Sequence, residues 1–510
     1  IAQQRGVGSW ATIEYNSKLN RIFIGVDSSY GSFFDLDKNG GFINSPYSSE
    51  TQSLTSRFYI SPDGNYVFDS NGSILSSSLK KLKSLQFSFR DLAFENNTFY
   101  VLDNYNQVFS FKYDSFINDG SKIHLGKYSS NIGNPQRIFK NKNGLYAITK
   151  TSDDKYYFER LPYTKPVVLP AKTSSSTTPK ENPGLKYTKI PFDPVDSVSN
   201  EDGSIVYAID QKEKKVYSIN TLTFEKRYLE FDLKPESLYF KDNVLYVTLC
   251  TREHDYYWRK EEQQGAFALI NCTNFKVIRI NPITIDPYDI VVSNDRNIYI
   301  SPGSGQWVNL FAYDSEGMVL SESSSSIFHQ NIIKYNPILN KVYTLETTNS
   351  ENLQNMTSFN ISSDGKIADG YKWSYHGHFK SNTNFEISPT GLHLFNGYGY
   401  FISCSTDKTN DMIKKHEFDA PFKDIAFNIS NNSIYFLNDK KVYNYQYDAL
   451  VNNNSLKQMD TYSTHLSGIK RIFKDNYGLA AIIQEKGNNY VGHLKSDSTT
   501  YSVEPEEIFT

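Results

Sequence analysis

The chain has 510 residues, of which 38% are hydrophobic, 15% aromatic and 21% charged, with a formal net charge of -3. This apolar content excludes general disorder, and the balanced charge argues against nucleic-acid binding, which usually needs a basic surface. No run of 18 apolar residues occurs, so the sequence predicts no transmembrane helix. The chain starts at Ile1 without a charged and apolar leader, and we therefore expect a mature or truncated product.

The residue usage favours β-strands. Tyrosine occurs 38 times and phenylalanine 34 times, and aromatic rings fit a pleated, half-buried sheet better than a helix face. The three cysteines are too few for a disulfide scaffold. Cys250 and Cys272 each end a strand-like run, and as antiparallel neighbours these runs would hold the two thiols well beyond bridging distance. We therefore expect three buried, unpaired thiols.

A short pattern recurs along the whole chain: a few apolar residues, a polar turn, and then an apolar or aromatic strand. The turns contain SPDG, NEDG, SPTG and KNKNG, and tight hairpins require such Gly, Asn, Asp and Pro residues. Each copy predicts the first two strands of a structural unit. The eleven copies begin at Thr12, Phe58, Leu92, Arg137, Ser197, Ser237, Ile290, Ile332, Phe385, Ile425 and Arg471.

A second hairpin follows many copies, for example near Asp35, Asp314 and Asp364, so each unit is predicted to have four strands. Successive units are mostly spaced near the ~40 to 50 residues of a four-stranded propeller blade. With SPDGNYVF from Ser61 as the closest match, the units resemble the YVTN, NHL and WD-like repeats of the β-propeller superfamily, although no WD dipeptide recurs. The resemblance covers nearly the whole chain and implies an all-β propeller fold of about eleven four-stranded units.

A longer repeat indicates how the units are grouped. Residues 91–114 match residues 424–448, at an offset of about 334 residues or seven units. We predict four blades of an incomplete first ring at residues 1–168, a Ser/Thr/Pro-rich linker at 169–186, and a seven-bladed β-propeller at 187–510. Two other arrangements stay open. Units one to seven could close a ring and leave units eight to eleven over, or all units could form one larger ring.

The longest loops are predicted to lie at one end of the propeller. They follow the second strand in units six, seven and eight, and they also connect unit eight to unit nine. These loops carry three of the four tryptophans, and a large exposed ring is unfavourable unless it meets a ligand. Packing of the loops onto one another is the alternative explanation. The predicted partner-binding residues are Tyr256, Tyr257, Trp258, Arg259, Trp307, Trp373, His376 and His378.

Two histidine patterns could suggest metal or acid–base chemistry. His376 and His378 lack a recognisable third zinc ligand. His254 lies beside Asp255 and Glu261, but no spacing there fixes a pair of carboxylates. We therefore predict no catalytic residue, no metal site and no cofactor.

Two aspartate patterns are also interpreted as structural. Residues 35–40, DLDKNG, copy the start of an EF-hand loop but have proline at position twelve, so a hairpin turn is preferred. Four aspartates stand at the entrance to a first strand and could form an acidic rim that grips a cation, as in propeller lactonases. Capping of loop amides at the strand start is the simpler interpretation. These residues are Asp91, Asp196, Asp289 and Asp424.

The sequence favours a non-enzymatic propeller that binds a protein or glycan partner through its aromatic loops. The Tyr-, Asn- and Ser-rich composition and the Ser/Thr/Pro linker favour a place at the cell surface or outside the cell. One alternative is a propeller enzyme of the lactonase, lyase or glycosidase type, with its site at the mouth of the channel. A second alternative is an intracellular interaction scaffold. No particular oligomeric state is predicted.

Overall fold

The computed structural model is an all-β protein that divides into two compact units, Ile1–Val167 and Val168–Thr510. We name them the smaller and the larger unit and describe each by itself. Within the described ranges, no helix is long and apolar enough to cross a membrane. The described residues are 11–26, 30–43, 47–55, 57–85, 87–119, 124–164, 186–255, 257, 263–328, 330–347, 353–372, 379–380, 384–418, 421–428, 431–438, 440–453, 455–464, 468–475, 478–497 and 508–509.

The smaller unit contains four antiparallel sheets among its described residues. They are β1–β4, β5–β8, β9–β12 with β16 added beside β12, and β13–β15, with these bounds: β1 (Ala11–Asn16), β2 (Arg21–Val26), β3 (Tyr30–Asp35), β4 (Tyr47–Ser53), β5 (Phe58–Ile60), β6 (Tyr66–Asp69), β7 (Ser73–Ser76), β8 (Lys81–Ser84), β9 (Phe89–Glu95), β10 (Thr98–Asp103), β11 (Val108–Lys112), α1 (Tyr113–Asp119), β12 (His124–Tyr128), β13 (Asn134–Asn141), β14 (Gly144–Lys150), β15 (Tyr156–Arg160) and β16 (Tyr163–Thr164).

The larger unit contains thirty-four strands and one helix among its described residues. Their bounds are β17 (Lys186–Ile190), β18 (Ser197–Ser199), β19 (Ile205–Asp210), β20 (Lys215–Asn220), β21 (Lys226–Glu230), β22 (Lys234–Lys241), β23 (Val244–Cys250), β24 (Gly265–Asn271), β25 (Lys276–Ile283), β26 (Pro287–Val292), β27 (Ile298–Pro302), β28 (Trp307–Val308), β29 (Phe311–Tyr313), β30 (Val319–Glu322), β31 (Ile327–Phe328), β32 (Asn331–Asn336), β33 (Lys341–Glu346), β34 (Leu353–Gln354), β35 (Met356–Ile361), β36 (Ile367–Lys372), β37 (Phe379–Lys380), β38 (Phe385–Ile387), β39 (His393–Asn396), β40 (Tyr400–Ser403), β41 (Lys414–Glu417), β42 (Asp424–Asn428), β43 (Ser433–Asn438), β44 (Lys441–Gln446), α2 (Tyr447–Asn453), β45 (Gln458–Ser463), β46 (Gly468–Asp475), β47 (Gly478–Glu485), β48 (Asn488–His493), β49 (Lys495–Ser496) and β50 (Ile508–Phe509).

These strands form seven main sheets and two short ribbons in the described part of the larger unit. In chain order the main sheets are β18–β21, β22–β25, β26–β27–β29–β30, β32–β33–β35–β36, β38–β41, β42–β45 with β49, and β46–β48 with β17 and β50. The ribbons pair β28 with β31 and β34 with β37. Each ribbon joins the loop after a second strand to the connection after the fourth strand of the same sheet, so both connections open at the same end of that sheet.

The first strand of the larger unit completes its last sheet. β17 runs antiparallel to β48, with Tyr187 opposite Gly492. The Tyr187 side chain packs in a core with Tyr435 of β43, whereas Ile190 packs with Val206 of β19 in the core on the other side. The first and last sheets of this unit therefore share a hydrophobic core.

Each of the eleven repeats begins one of the main sheets and supplies its first two strands, as the sequence predicts. The NEDG turn between β18 and β19 shows why turn residues matter. Gly203 has a φ of 73°, and a Cβ there would lie 2.3 Å from the carbonyl oxygen of Lys474, so only glycine fits without strain. The second-strand aromatic residues anchor the cores, and four of them are almost completely buried: Tyr207, Tyr246, Tyr299 and Tyr343.

The DLDKNG segment forms a turn between β3 and β4, as predicted. The Asp37 carboxylate accepts the backbone N–H groups of Asn39 at 2.7 Å and Gly41 at 2.8 Å. These bonds lower the pKa of Asp37, the bond from Gly41 having the larger effect. The aspartate therefore acts as a local turn-former.

The three cysteines are free thiols, which agrees with the prediction that no disulfide forms. Cys250 and Cys404 are buried, but Cys272 is only partly buried. The expectation of three buried thiols was therefore wrong at one position. Cys272 lies just beyond the end of β24, in the turn towards β25, where the sheet no longer covers it completely.

Candidate functional site

A cavity of about 830 Å³ lies among the first strands of the larger unit, and all seven main sheets contribute to its lining. Each sheet, or the segment just before it, places at least one ionisable side chain there. Seven of these residues, one for each sheet, are named here the central charged set. Five are acids and two are bases, so the set has an excess of negative charge at neutral pH. Its members are Asp196, Glu236, Asp289, Lys334, Glu386, Asp424 and Arg471.

Three aspartates of the central charged set join neighbouring sheets. Each carboxylate accepts a backbone N–H from the first strand of another main sheet: Leu238 donates to Asp196 at 2.7 Å, Ile333 to Asp289 at 2.7 Å, and Ile472 to Asp424 at 2.8 Å. Asp91 accepts the N–H of Ile138 at 2.6 Å in the same way in the smaller unit. We expected these aspartates to cap loop amides. Two of them do cap local amides at the strand start, since Asp196 accepts the N–H of Ser197 at 2.8 Å and Asp289 accepts that of Ile290 at 2.8 Å. The other bonds go to amides of the adjoining sheet, so the aspartates also bond one sheet to the next.

Both cations of the central charged set are paired with carboxylates of the same set. Lys334 pairs with Glu386, and Arg471 Nε lies 3.3 Å from Asp424 Oδ2. Burial raises the pKa of Asp289 to about 6, although the hydrogen bonds that it accepts favour its charged form. The central charged set is thus acidic, and both of its positive charges are paired within the set.

Glu236 faces a histidine network at the end of the cavity where the first strands begin. His254 Nε2 lies 3.6 Å from Glu236 Oε1, and His254 Nδ1 lies 2.8 Å from Asp286 Oδ2. Asp286 also accepts the hydroxyl of Ser304. Gly303 makes room for the ring, because a Cβ at that position would lie 2.2 Å from His254 Nδ1. Groups from three other segments of the chain therefore hold the imidazole in place.

The electrostatics of this network favour a charged imidazole. Burial alone would lower the pKa of His254, but the hydrogen bond to Asp286 and the interaction with Glu236 outweigh burial and raise the pKa to about 9. Cys250 lies close by at the end of β23, and its Sγ is 3.0 Å from the carbonyl oxygen of Pro287. A carboxylate, an imidazole and a thiol thus meet beside the cavity, and these groups can transfer protons or bind a metal ion.

Two of the predicted partner-binding residues lie in described loops at this same end. Tyr257 is 58% exposed and Trp307 is 52% exposed. Their loops are hydrogen-bonded together: Ser304 Oγ accepts the N–H of Asp255 at 2.8 Å, and the Asp255 carbonyl accepts the N–H of Gly305 at 3.1 Å. Tyr257 and Trp307 each lie two residues from this junction.

The Trp307 ring is about half exposed and contacts an aromatic neighbour. It makes an edge contact with Phe328 across the β28–β31 ribbon, with 5.2 Å between ring centroids. Nearby polar groups come from Asn309, which bonds Glu322 and Ser326. The other six predicted partner-binding residues lie outside the described residues: Tyr256, Trp258, Arg259, Trp373, His376 and His378.

The partners of His254 were not identified from the sequence. Asp255 and Glu261 were the expected neighbours because they lie near His254 in the same loop. In the structure the carboxylates beside His254 belong to Glu236 and Asp286, and Glu261 lies outside the described residues. The signal that could have found them is topological. Glu236 lies near the start of a first strand, His254 in the loop after the second strand, and Asp286 just before the next sheet. These three positions meet at one end of a propeller-like unit.

Comparisons with known proteins identify no family. No protein family and no curated protein matches the chain in sequence. A functionally unknown protein from Desulfotomaculum acetoxidans is 13% identical over 55% of this chain and 89% of its own, with a TM-score of 0.43. Hydrazine synthase from Kuenenia stuttgartiensis is 12% identical over 60% and 97%, with a TM-score of 0.44. The extracellular domain of a proposed one component system from B. thetaiotaomicron is 12% identical over 94% and 63%, with a TM-score of 0.39.

Proposed function

We propose that the larger unit is a closed seven-bladed β-propeller. Three observations support this proposal: seven main sheets follow one another in the described chain, β17 completes the last sheet, and the first and last sheets share a core. In such a closure, a strand from the beginning of the unit pairs with the edge of β48 and ties the two ends of the unit together. The four sheets of the smaller unit are, on this proposal, blades of a second and incomplete propeller.

The function that we propose is non-catalytic recognition of a partner at the loop end of the larger unit. The observation that carries it is the exposure of the Trp307 indole, which is 52% exposed, whereas Ile327 on the partner strand of the same ribbon is buried. A large aromatic surface gains little from contact with water and is a frequent anchor at binding interfaces. Tyr257 extends the same surface. The composition favours a protein that acts at the cell surface or outside the cell.

A glycan fits the surroundings of Trp307 better than a protein does. A sugar ring stacks its C–H face on an aromatic ring and bonds its hydroxyls to amide and carboxylate groups. Asn309 lies two positions from Trp307 and supplies an amide, and its hydrogen bond to Glu322 brings a carboxylate beside that amide. A protein partner would instead need a broad, well-packed surface of about 800 Å² on each side.

The experiment is a glycan array probed with the full chain and with three variants. We expect Trp307→Ala to weaken binding of the recognised glycans by tenfold or more, and Tyr257→Ala to weaken it less. Tyr228→Ala is the matched control, because Tyr228 is 55% exposed but lies on the fourth strand of a different sheet. Melting temperatures should stay close to that of the unmodified chain, since exposed substitutions change stability by only about 0.5 kcal/mol.

Two outcomes would contradict this proposal. In one, glycans bind but Trp307→Ala and Tyr228→Ala reduce affinity equally. In the other, no glycan binds and a protein partner isolated by cross-linking binds the Trp307→Ala variant as well as it binds the unmodified chain. Unfolding of Trp307→Ala at lower temperature with intact binding would indicate that the indole is a packing residue.

The convergence of Glu236, His254 and Asp286 favours a second candidate function, a propeller enzyme with its site at the mouth of the cavity. An imidazole between two carboxylates can donate and accept protons. On this alternative, His254→Gln would abolish turnover of a lactone or glycoside substrate while leaving glycan affinity at Trp307 unchanged. Recognition remains the leading proposal because two large aromatic side chains are more than half exposed at this end of the unit.

A further inference from the structure

We propose that Glu236, Cys250 and His254 form a binding site for one divalent transition-metal ion, with zinc as the element that fits best. A carboxylate oxygen of Glu236, the Cys250 Sγ and an imidazole nitrogen of His254 all lie within 4.8 Å of one another. Carboxylate, thiolate and imidazole are the three donor types that zinc sites in proteins use. This inference does not depend on partner recognition through Trp307.

The spacing of the donors is close to that of an occupied site. With metal–ligand bonds of about 2.0 to 2.3 Å in tetrahedral geometry, two ligand atoms lie roughly 3.3 to 3.8 Å apart. The 3.6 Å between His254 Nε2 and Glu236 Oε1 already has this value and is too long for a hydrogen bond. The thiol needs to approach by about 1.5 Å at most, which a side-chain rotation provides.

The imidazole is oriented as a metal ligand requires. The Asp286 carboxylate binds Nδ1 at 2.8 Å and directs Nε2 towards Glu236 and Cys250. Nε2 is buried and has no hydrogen-bond partner. A carboxylate behind the ligating histidine is the usual arrangement in zinc sites, where it fixes the tautomer and the ring direction. Ser304 in turn holds Asp286 through its hydroxyl.

Glu236 links the site to the central cavity. A β-bulge between Pro235 and Leu238 interrupts the pairing of β22 and β23 at this point, and bulges commonly redirect a side chain. Gln211 binds Oε2 of Glu236 at 2.5 Å, which leaves Oε1 facing His254. Because Glu236 also lines the cavity, a metal ion held by three protein ligands would have its fourth position available to water or to a ligand from the cavity.

Cys250 separates this proposal from a simpler one. A protonated His254 between two carboxylates would also be stable without any metal ion, as a structural ion-pair network. That network has no need of a thiol. A metal site does need it, because the ion would replace the proton that Sγ now directs at the Pro287 carbonyl.

The experiment uses the full-length chain after treatment with a chelator. Isothermal titration with zinc chloride is expected to give about one tightly bound ion per chain. Cys250→Ser should weaken this binding by 100-fold or more, whereas Cys272→Ser should leave it unchanged. Cys272 is the matched control because it is another free thiol of the larger unit, at a position outside the cluster. Asp286→Asn should weaken binding by about 10- to 100-fold, as expected for the residue behind a ligating histidine.

Cobalt substitution supplies a readout that does not depend on the variants folding. Cobalt(II) added to the unmodified chain should give a thiolate-to-metal charge-transfer band and the strong visible absorption of a tetrahedral complex, and Cys272→Ser should keep both. Absence of the charge-transfer band in the unmodified chain would overturn the proposal. So would zinc binding that Cys250→Ser leaves unchanged, since the ion would then be held elsewhere.

Discussion

The closing strand β17 gives the most direct test of how the larger unit is assembled. Ile190 is 1% exposed and lies in the core that the first and last sheets share. Substitution by alanine removes three carbon atoms, worth about 2.4 kcal/mol at roughly 0.8 kcal/mol for each buried methylene, and the cavity left behind adds about 1 kcal/mol. We therefore expect Ile190→Ala to lower the free energy of unfolding by about 3 to 4 kcal/mol.

The measurement is urea-induced unfolding followed by circular dichroism, with Lys189→Ala as the control. Lys189 lies on the same strand but is exposed, so its truncation should change the free energy of unfolding by less than about 0.5 kcal/mol. Tyr187→Ala should be as damaging as Ile190→Ala, because Tyr187 fills the core on the other face of the strand. Equal effects of Ile190→Ala and Lys189→Ala would show that β17 is not part of the folded sheet and would contradict the proposed closure.

Three further predictions concern buried charges and can be measured by chemical or thermal unfolding. Asp424→Ala leaves the N–H of Ile472 without its acceptor and should lower the free energy of unfolding by about 2 to 3 kcal/mol. Asp424→Asn keeps an acceptor and should lower it by less than half as much. Equal losses in the two variants would contradict the role of this bond. The side chains of Lys341 and Asp411 form an ion pair and are only 2% and 0% exposed. Lys341→Met leaves the Asp411 carboxylate buried without its cation and should lower the free energy of unfolding by about 3 to 5 kcal/mol. Adding Asp411→Asn should recover part of this loss. Burial raises the pKa of Asp103 from 3.8 to about 6, so its contribution to stability is complete below pH 3.8 and is lost as the pH rises through about 6. Asp103→Asn should remove this pH dependence and raise the free energy of unfolding by up to about 3 kcal/mol near pH 8. An unchanged pH profile of stability would show that Asp103 is not the group responsible.

The repeats were predictable from sequence because each carries its own local signals. A hairpin needs specific turn residues and alternating apolar positions, and both lie within about 15 residues of chain. All eleven copies begin a sheet for this reason. β17 has no such signal. It is five residues long, lacks a hairpin partner, and pairs with β48 about 300 residues later in the chain. Its first residue, Lys186, was therefore included in the predicted linker.

The candidate site was less predictable because its chemistry depends on distant contacts. Trp307 and Tyr257 could be found in sequence, since long loops at equivalent positions and aromatic residues are both visible there. His254 could be found only as a residue beside other charges. Its partners Glu236 and Asp286 lie 18 and 32 positions away, and only the pairing of β22 with β23 and the approach of the next sheet bring them together.

The internal geometry of the two units favours duplication of a segment longer than one repeat. Helix α1 begins at Tyr113 and helix α2 at Tyr447, 334 residues later, although neither helix was predicted from sequence. A group of three residues recurs at nearly the same offset. In each group an aspartate accepts the N–H of an isoleucine and forms an ion pair with the arginine that precedes this isoleucine. The groups are Asp91 with Arg137 and Ile138, and Asp424 with Arg471 and Ile472. Independent repeats of one hairpin pattern would share turns and buried rings, because those features are local. The aspartate-to-amide bond also occurs at Asp196 and Asp289, so by itself it does not distinguish the two cases. Independent repeats would, however, have no reason to share both a helix and an arginine beside the bonding aspartate at one common spacing. The contact between consecutive sheets is therefore part of what was copied, and this explains why the aspartate stands at the start of the first strand, where its carboxylate can reach the adjoining sheet.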